Sequence, residues 1–188
     1  GEIFYCEPNI KSREYTLEKM VQKSGGSIIH PYNDEKIIAG QGTAAKELIE
    51  KVPDLDAIIC PVSGGGLLSG TLLAAKNLKP DIKVFGAEPE NADDTYRSIL
   101  KNKIIPNETT DTIADGLRAQ VGTITFPIIK ENVNEILLVS EKMIISSMYM
   151  IWQRLKIIVE PSCSIVLAAL MLNSKKFLNK KVGLILTG

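Results

Sequence analysis

The sequence is poor in the residues that most often announce a function. Its three cysteines, Cys6, Cys60 and Cys163, stand far apart. They match no zinc-ligand spacing, and an odd number builds no simple disulfide framework, so a reducing, cytoplasmic setting is expected. Aromatic residues make up 5% of the chain and His30 is the single histidine. Neither sign of charge is in excess, since 22 basic residues balance 22 acidic ones. No attraction to nucleic acid or to an anionic membrane surface is therefore expected. No apolar run approaches the ~18 residues of a membrane span; Ile157-Ile158-Val159 is cut at once by Glu160. The opening Gly1-Glu2-Ile3-Phe4-Tyr5 is neither a signal peptide nor an initiator methionine. Both ends read as cut from something longer. What is plentiful is apolar character, 45% of 188 residues, enough for a substantial core.

Short β-branched runs alternate with longer helical patterns. Strands are expected at Ile3–Cys6, Ser27–His30, Ala57–Cys60, Lys83–Ala87, Glu135–Val139 and Val182–Leu186. Helices are expected at Ser12–Lys23, Ile37–Val52, Leu67–Leu78, Asp94–Lys101 and Pro161–Leu172. Another should follow Ser140 as N-cap, with Ile144, Met148, Ile151 and Leu155 forming one apolar stripe. Residues 102–122, with Pro106 and several Thr and Asp, read as irregular. The run Ala57-Ile58-Ile59-Cys60 lacks polar alternation, which suits a sheet covered on both faces. The alternation as a whole predicts an α/β fold, a mostly parallel, doubly wound sheet with helices on both faces.

The strongest local signal is Ser63-Gly64-Gly65-Gly66-Leu67, after a buried strand and at the start of a helix. Consecutive glycines let backbone N–H groups converge without Cβ interference, and the helix N-terminus adds partial positive charge. The combination is a phosphate cradle. No lysine completes a nucleoside-triphosphate loop. Two readings stay open on the residues alone. One is a nicotinamide dinucleotide site, with Gly64-x-Gly66-x-x-Ser69 and Glu88 after the next strand. The other is a site for the single phosphate of pyridoxal phosphate. Glu88 and Asp94 are hard oxygen ligands suited to Mg²⁺ or Ca²⁺, and Asp93 or Asp94 could equally cap the next helix.

Landmarks in order carry a resemblance. They are Cys6-Glu7-Pro8, Ser12-Arg13-Glu14, Ile38-Ala39-Gly40-Gln41-Gly42-Thr43, Pro61-Val62-Ser63-Gly64-Gly65-Gly66-Leu67 and Ala87-Glu88-Pro89. Asn91-Ala92-Asp93-Asp94, Thr112-Ile113-Ala114-Asp115-Gly116, Glu160-Pro161-Ser162 and Leu186-Thr187-Gly188 complete them. The chain resembles the fold-type II pyridoxal-phosphate enzymes, and within them the serine racemases and serine/threonine dehydratases. The resemblance implies the end of a small domain over residues 1–30 and a large cofactor-binding domain over 31–188. It implies interconversion of L- and D-serine, with elimination of serine to pyruvate and ammonia. A catabolic threonine/serine dehydratase, a nicotinamide-binding domain and a non-catalytic remnant are the alternatives.

The resemblance also implies roles. Ser63, Gly64, Gly65, Gly66 and Leu67 would hold the cofactor phosphate. Thr187 would face the pyridine nitrogen, and Gly188 would start a turn beneath the ring. Tyr32 and Asn33 lie in a segment that approaches the cofactor, and which of them touches it stays open. Arg13 would meet the substrate carboxylate. Glu88, Ala92 and Asp94 would bind Mg²⁺ or Ca²⁺, and Lys156 would meet the phosphates of an ATP effector at a homodimer interface. His30 reads as the end of a strand beside Pro31, and Trp152 as core or dimer interface. The family's Schiff-base lysine and second catalytic serine lie in motifs that do not occur in these 188 residues. The chain alone is therefore expected to be inactive.

Overall fold

A computed structural model describes residues 2–7 and 10–188; Gly1, and the Pro8 of the Cys6-Glu7-Pro8 landmark, lie outside the described residues. By backbone contacts the chain divides into two compact units, Gly1–His30 and Pro31–Gly188.

The first unit contains helix α1, Ile10–Ser24, with the exposed Tyr15 and Leu17 on its surface. Neither Ile3–Cys6 nor Ser27–His30 is a strand, contrary to expectation. Their β-branched and aromatic residues face water, Ile3 at 80% and Tyr5 at 93% exposure. Such residues favour strands only where a neighbouring strand offers a ladder and a surface to pack on.

In the second unit the order is α2 (Glu35–Lys51), β1 (Ala57–Pro61), α3 (Gly66–Leu78), β2 (Lys83–Pro89) and α4 (Asp94–Lys101). Then come α5 (Thr125–Asn132), β3 (Glu135–Val139), α6 (Glu141–Leu155), α7 (Pro161–Leu172) and β4 (Val182–Leu184). The four strands run parallel in the order β3-β2-β1-β4. Alternation along β1 sorts the core. Ile58 and Cys60 join Leu68, Leu72 and Ile129 on the face covered by α2, α3 and α5. Ala57 and Ile59 join Ile144, Ile165 and Ala169 beneath α6 and α7. Both faces are covered, as the unbroken apolar strand foretold.

Local chemistry explains the element ends. Asp34 accepts the N–H groups of Lys36 and Ile37 at 2.8 and 3.2 Å and so caps α2. Ser140 occupies the N-cap of α6, but its hydroxyl makes no capping bond. Pro161 opens α7, where its missing N–H costs nothing. The α6 stripe is buried at Ile144, Met148 and Ile151, whereas Leu155 is 57% exposed because the helix ends there, Lys156 taking the left-handed conformation at φ 60°. The last strand is shorter than expected, although the Ile185 N–H still donates to the Ile59 carbonyl at 3.1 Å. Helices α6 and α7 are joined by buried hydroxyls, Ser147 Oγ donating to the Ser164 carbonyl and Ser164 Oγ to the Ile144 carbonyl, each at 3.0 Å. Helices α2 and α3 meet backbone to backbone at Gly42 and Gly70.

Burial predicts thiol reactivity. Cys6 is exposed, while Cys60 and Cys163 are buried, and burial pushes the Cys60 thiol up to about 12. A thiol reagent at pH 8 is expected to modify Cys6 alone in the native protein and the other two only after unfolding; mass spectrometry showing native labelling of Cys60 would contradict this core.

Candidate functional site

In the strand order β3-β2-β1-β4 the chain moves outward from β1 through β2 and β3, then returns to the other side of β1. The reversal leaves a crevice outside the carboxyl ends of β1 and β4, the usual place for a ligand in an open parallel sheet. The glycine loop leaves β1 there, and Thr187 and Gly188 follow β4 at the same end. The structure thus places these sequence-predicted residues at the carboxyl end of the sheet's strands.

The loop cannot carry side chains. Gly65 has φ +91°, and a Cβ on it would lie 2.7 Å from Ile129 Cδ1 and 2.9 Å from the Thr125 side chain. A Cβ on Gly64 would fall within the Tyr32 ring at 2.4 Å, and one on Gly66 would meet Tyr32 Cα at 3.0 Å. Tyr32 therefore walls the loop, while Asn33 turns to the segment before α5, its Oδ1 accepting the Ile124 N–H at 2.7 Å. The loop's carbonyls are engaged: Gly64 O accepts from Gly122 N–H and Thr125 Oγ1, and Gly65 O from Ser69 N–H. Ser63 Oγ accepts the Ala119 N–H at 3.0 Å. Among the described residues no hydrogen-bond acceptor is recorded for the amides of Gly64, Gly65, Gly66 or Leu67. Side-chain-free backbone, uncommitted amides and the start of the 13-residue helix α3 fit a phosphate monoester. Gly188 has φ +116°, a left-handed backbone that favours glycine, and its carbonyl accepts the Glu160 N–H at 3.0 Å.

Glu88, at the end of β2, is fully buried, and its carboxylate accepts the N–H groups of Thr95 and Tyr96 at 3.0 and 2.9 Å. It caps α4 from outside, the task that spacing offered to Asp93 or Asp94; Asp93 makes no capping bond. Asp94 is buried too, one oxygen accepting from Asn107 Nδ2 at 2.9 Å and the other from the Val121 N–H at 2.7 Å. Burial first, and then the Asp94 charge, pushes Glu88 up to about 8. Burial pushes Asp94 up to about 6. The Thr95 hydroxyl lies by the Glu88 carboxylate without a well-aligned hydrogen bond. Two crowded carboxylates and a spare hydroxyl form a hard oxygen donor set that a divalent cation would suit. Among the described residues no group of three or more His, Cys, Asp and Glu side chains gathers to hold a metal, so any such ion would rely on carbonyls and water as well.

These pKa directions fix a sign. In the unfolded chain Glu88 and Asp94 ionise near 4.5 and 3.8, in the fold near 8 and 6. The folded state holds more protons between those limits, so its stability falls as pH rises through them. With a chelator present, the melting temperature is expected to drop between pH 5 and 8, and the slope to flatten in Glu88→Gln. Equal slopes in the two proteins would refute this origin.

Other sequence-predicted positions are carried by other elements. Arg13 is exposed on α1, in the first unit. Lys156 is exposed at the end of α6. Trp152 packs at the edge of the core, its Nε1–H donating to the Val159 carbonyl at 3.0 Å and its ring meeting Tyr149 edge-on. No helix among the described residues is long and apolar enough to cross a membrane.

The chain is similar to known proteins over its whole length. The chain is 45% identical to a β-hydroxyaspartate dehydratase of Paracoccus denitrificans, over all of this chain and 60% of that protein. It is 49% identical to a serine racemase of Dictyostelium discoideum, over 97% of this chain and 58% of that one. The solved structure of maize serine racemase superposes with a TM-score of 0.96 at 41% identity, covering 100% of this chain and 59% of the other. The chain thus spans about three fifths of the length of these relatives. Residues 1–188 match the family described as pyridoxal-phosphate dependent enzyme, and the chain belongs to that family.

Proposed function

We propose that the protein is a pyridoxal-phosphate-dependent serine racemase that also eliminates water from serine to give pyruvate and ammonia. The observation that carries the reading is the side-chain-free cradle after β1, at the sheet's switch point, in a chain of this family. The nicotinamide reading of the same glycines loses its basis there.

When bound, the cofactor supplies the electron sink that stabilises negative charge at the substrate Cα. The chain's own residues do the holding. Ser63 and the amides of Gly64, Gly65, Gly66 and Leu67 take the phosphate. Thr187 offers a neutral hydroxyl to the pyridine nitrogen, which leaves the sink milder than a carboxylate would. Arg13, a planar bidentate donor, takes the substrate carboxylate. Proton removal and return at Cα need the lysine and serine motifs absent from these 188 residues, so the 188-residue chain alone is inactive. A dehydratase acting on a 3-hydroxy amino acid is the second reading, and the Paracoccus relative favours it.

Glu88, Ala92 and Asp94 hold Mg²⁺ or Ca²⁺ in this reading. Addition of Mg²⁺ is then expected to raise the melting temperature at pH 8, and Asp94→Asn to abolish the rise; a rise of equal size in the variant would exclude the site. Lys156 serves an ATP effector. The exposed apolar residues Tyr149, Leu155 and Ile158 around the end of α6 support a homodimer.

The test is the absorbance of the protein from its complete reading frame. A cofactor band that shifts on adding L-serine, with D-serine and pyruvate formed, is expected. A colourless protein that does not take up added pyridoxal phosphate would overturn the reading.

A further inference from the structure

Thr125 has no role in the reading above, yet it is fully buried against the glycine loop. Its hydroxyl donates to the Gly64 carbonyl at 2.7 Å and accepts the Gly122 N–H at 2.9 Å. The same Gly122 N–H also reaches the Gly64 carbonyl at 3.2 Å. The Thr125 carbonyl in turn receives the Ser69 hydroxyl of α3 at 3.4 Å. The attachment is thus doubled, to the loop and to the helix that the loop opens.

In a planar trans peptide the C=O of one residue and the N–H of the next point in opposite directions. Fixing the Gly64 carbonyl on Thr125 therefore fixes the Gly65 N–H on the opposite side, toward the cradle. Glycine is the residue least able to fix this orientation itself, because its backbone visits both signs of φ. Gly66 needs no such help, since the Gly65 carbonyl is already bound by Ser69 N–H within α3. Two peptide units of the cradle, Ser63–Gly64 and Gly64–Gly65, precede the helix, and Thr125 holds the second of them.

We infer that Thr125 is a positioning residue for phosphate recognition, aiming the Gly65 amide at the cofactor phosphate through its hydrogen bond to the Gly64 carbonyl. The inference rests on the cradle reading proposed above. It makes affinity for the phosphate group, rather than for the pyridine ring, the quantity that depends on the Thr125 hydroxyl.

The experiment compares pyridoxal phosphate with pyridoxal, which lacks the phosphate, binding to the apo form of the protein from its complete reading frame. In Thr125→Ala the affinity for pyridoxal phosphate is expected to fall about 10- to 100-fold, the range of a charge-assisted hydrogen bond. Affinity for pyridoxal should stay within about twofold, and Thr125→Ser should restore the preference. A general loss of structure would weaken both ligands alike. If the alanine variant fails to fold, Thr125→Val, which keeps the volume without the hydroxyl, carries the same expectation. A wild-type protein with no preference for the phosphorylated ligand would overturn the cradle reading itself. A wild-type preference that persists in the folded alanine or valine variant would overturn the role of Thr125 alone.

Discussion

Gly70→Ala is expected to destabilise the protein by about 3 kcal/mol or more, or to prevent folding. A Cβ there would lie 2.3 Å from the Ile38 carbonyl oxygen, 2.5 Å from the Gly42 nitrogen and 3.0 Å from the Gln41 carbonyl carbon. All three are backbone atoms of α2, so no side chain can swing aside. The helix would have to withdraw, and it carries the buried Ile38, Ala45 and Ile49. Gly40, two residues before Gly42, supplies the control. A Cβ on it meets nothing within 4 Å, so Gly40→Ala is expected to stabilise by about 0.5–1 kcal/mol through helix propensity. Urea denaturation of the two variants reads the contrast. A Gly70→Ala protein within about 0.5 kcal/mol of wild type would show that the helices do not meet at this point.

Gly65→Ala is the second large effect, and it falls on binding as well as stability. Two independent costs add: a left-handed backbone at φ +91°, and a Cβ driven into Ile129 Cδ1 at 2.7 Å. Relief by rotating the peptide would turn an amide away from the cradle. Cofactor affinity is expected to fall about 100-fold or more, together with the melting temperature. Titration of the apo-protein with pyridoxal phosphate measures it. Wild-type affinity in this variant would mean that the phosphate is held somewhere other than this loop.

These two glycines show how differently a sequence discloses its parts. The glycine loop was legible because its signal is local: a buried strand, three glycines and a helix start within a dozen residues. The parallel sheet was legible for the same reason, each strand being a short apolar run between helices. Ile3–Cys6 and Ser27–His30 misled because strand-forming residues do not reveal whether a partner strand is present. Helix α5 went unread because it follows a polar stretch and carries Pro127 in its first turn, though Phe126 and Ile129, both buried, hinted at a helical face. The cap on α4 was beyond reach, since Glu88 acts from the preceding strand, seven residues from Thr95. Thr125 was further still, bonded to Gly64 across 61 residues. Local spacing exposes a glycine loop; what orients the loop is supplied by long-range contacts.

The position of β4 beside β1 has a consequence for the order in which the protein is made. The bond that joins Lys181 to Asp56 spans 125 residues. During synthesis β2 can pair with β1, and β3 with β2, as each leaves the ribosome, while the other edge of β1 waits. That open edge is a bare row of apolar strand, Ala57 to Cys60, available to any other unpaired strand. Closure by β4 brings Thr187 to the crevice and covers the edge in one event. The growing chain is therefore most prone to aggregate in the interval before β4 arrives, and Thr187 reaches the crevice as that interval ends.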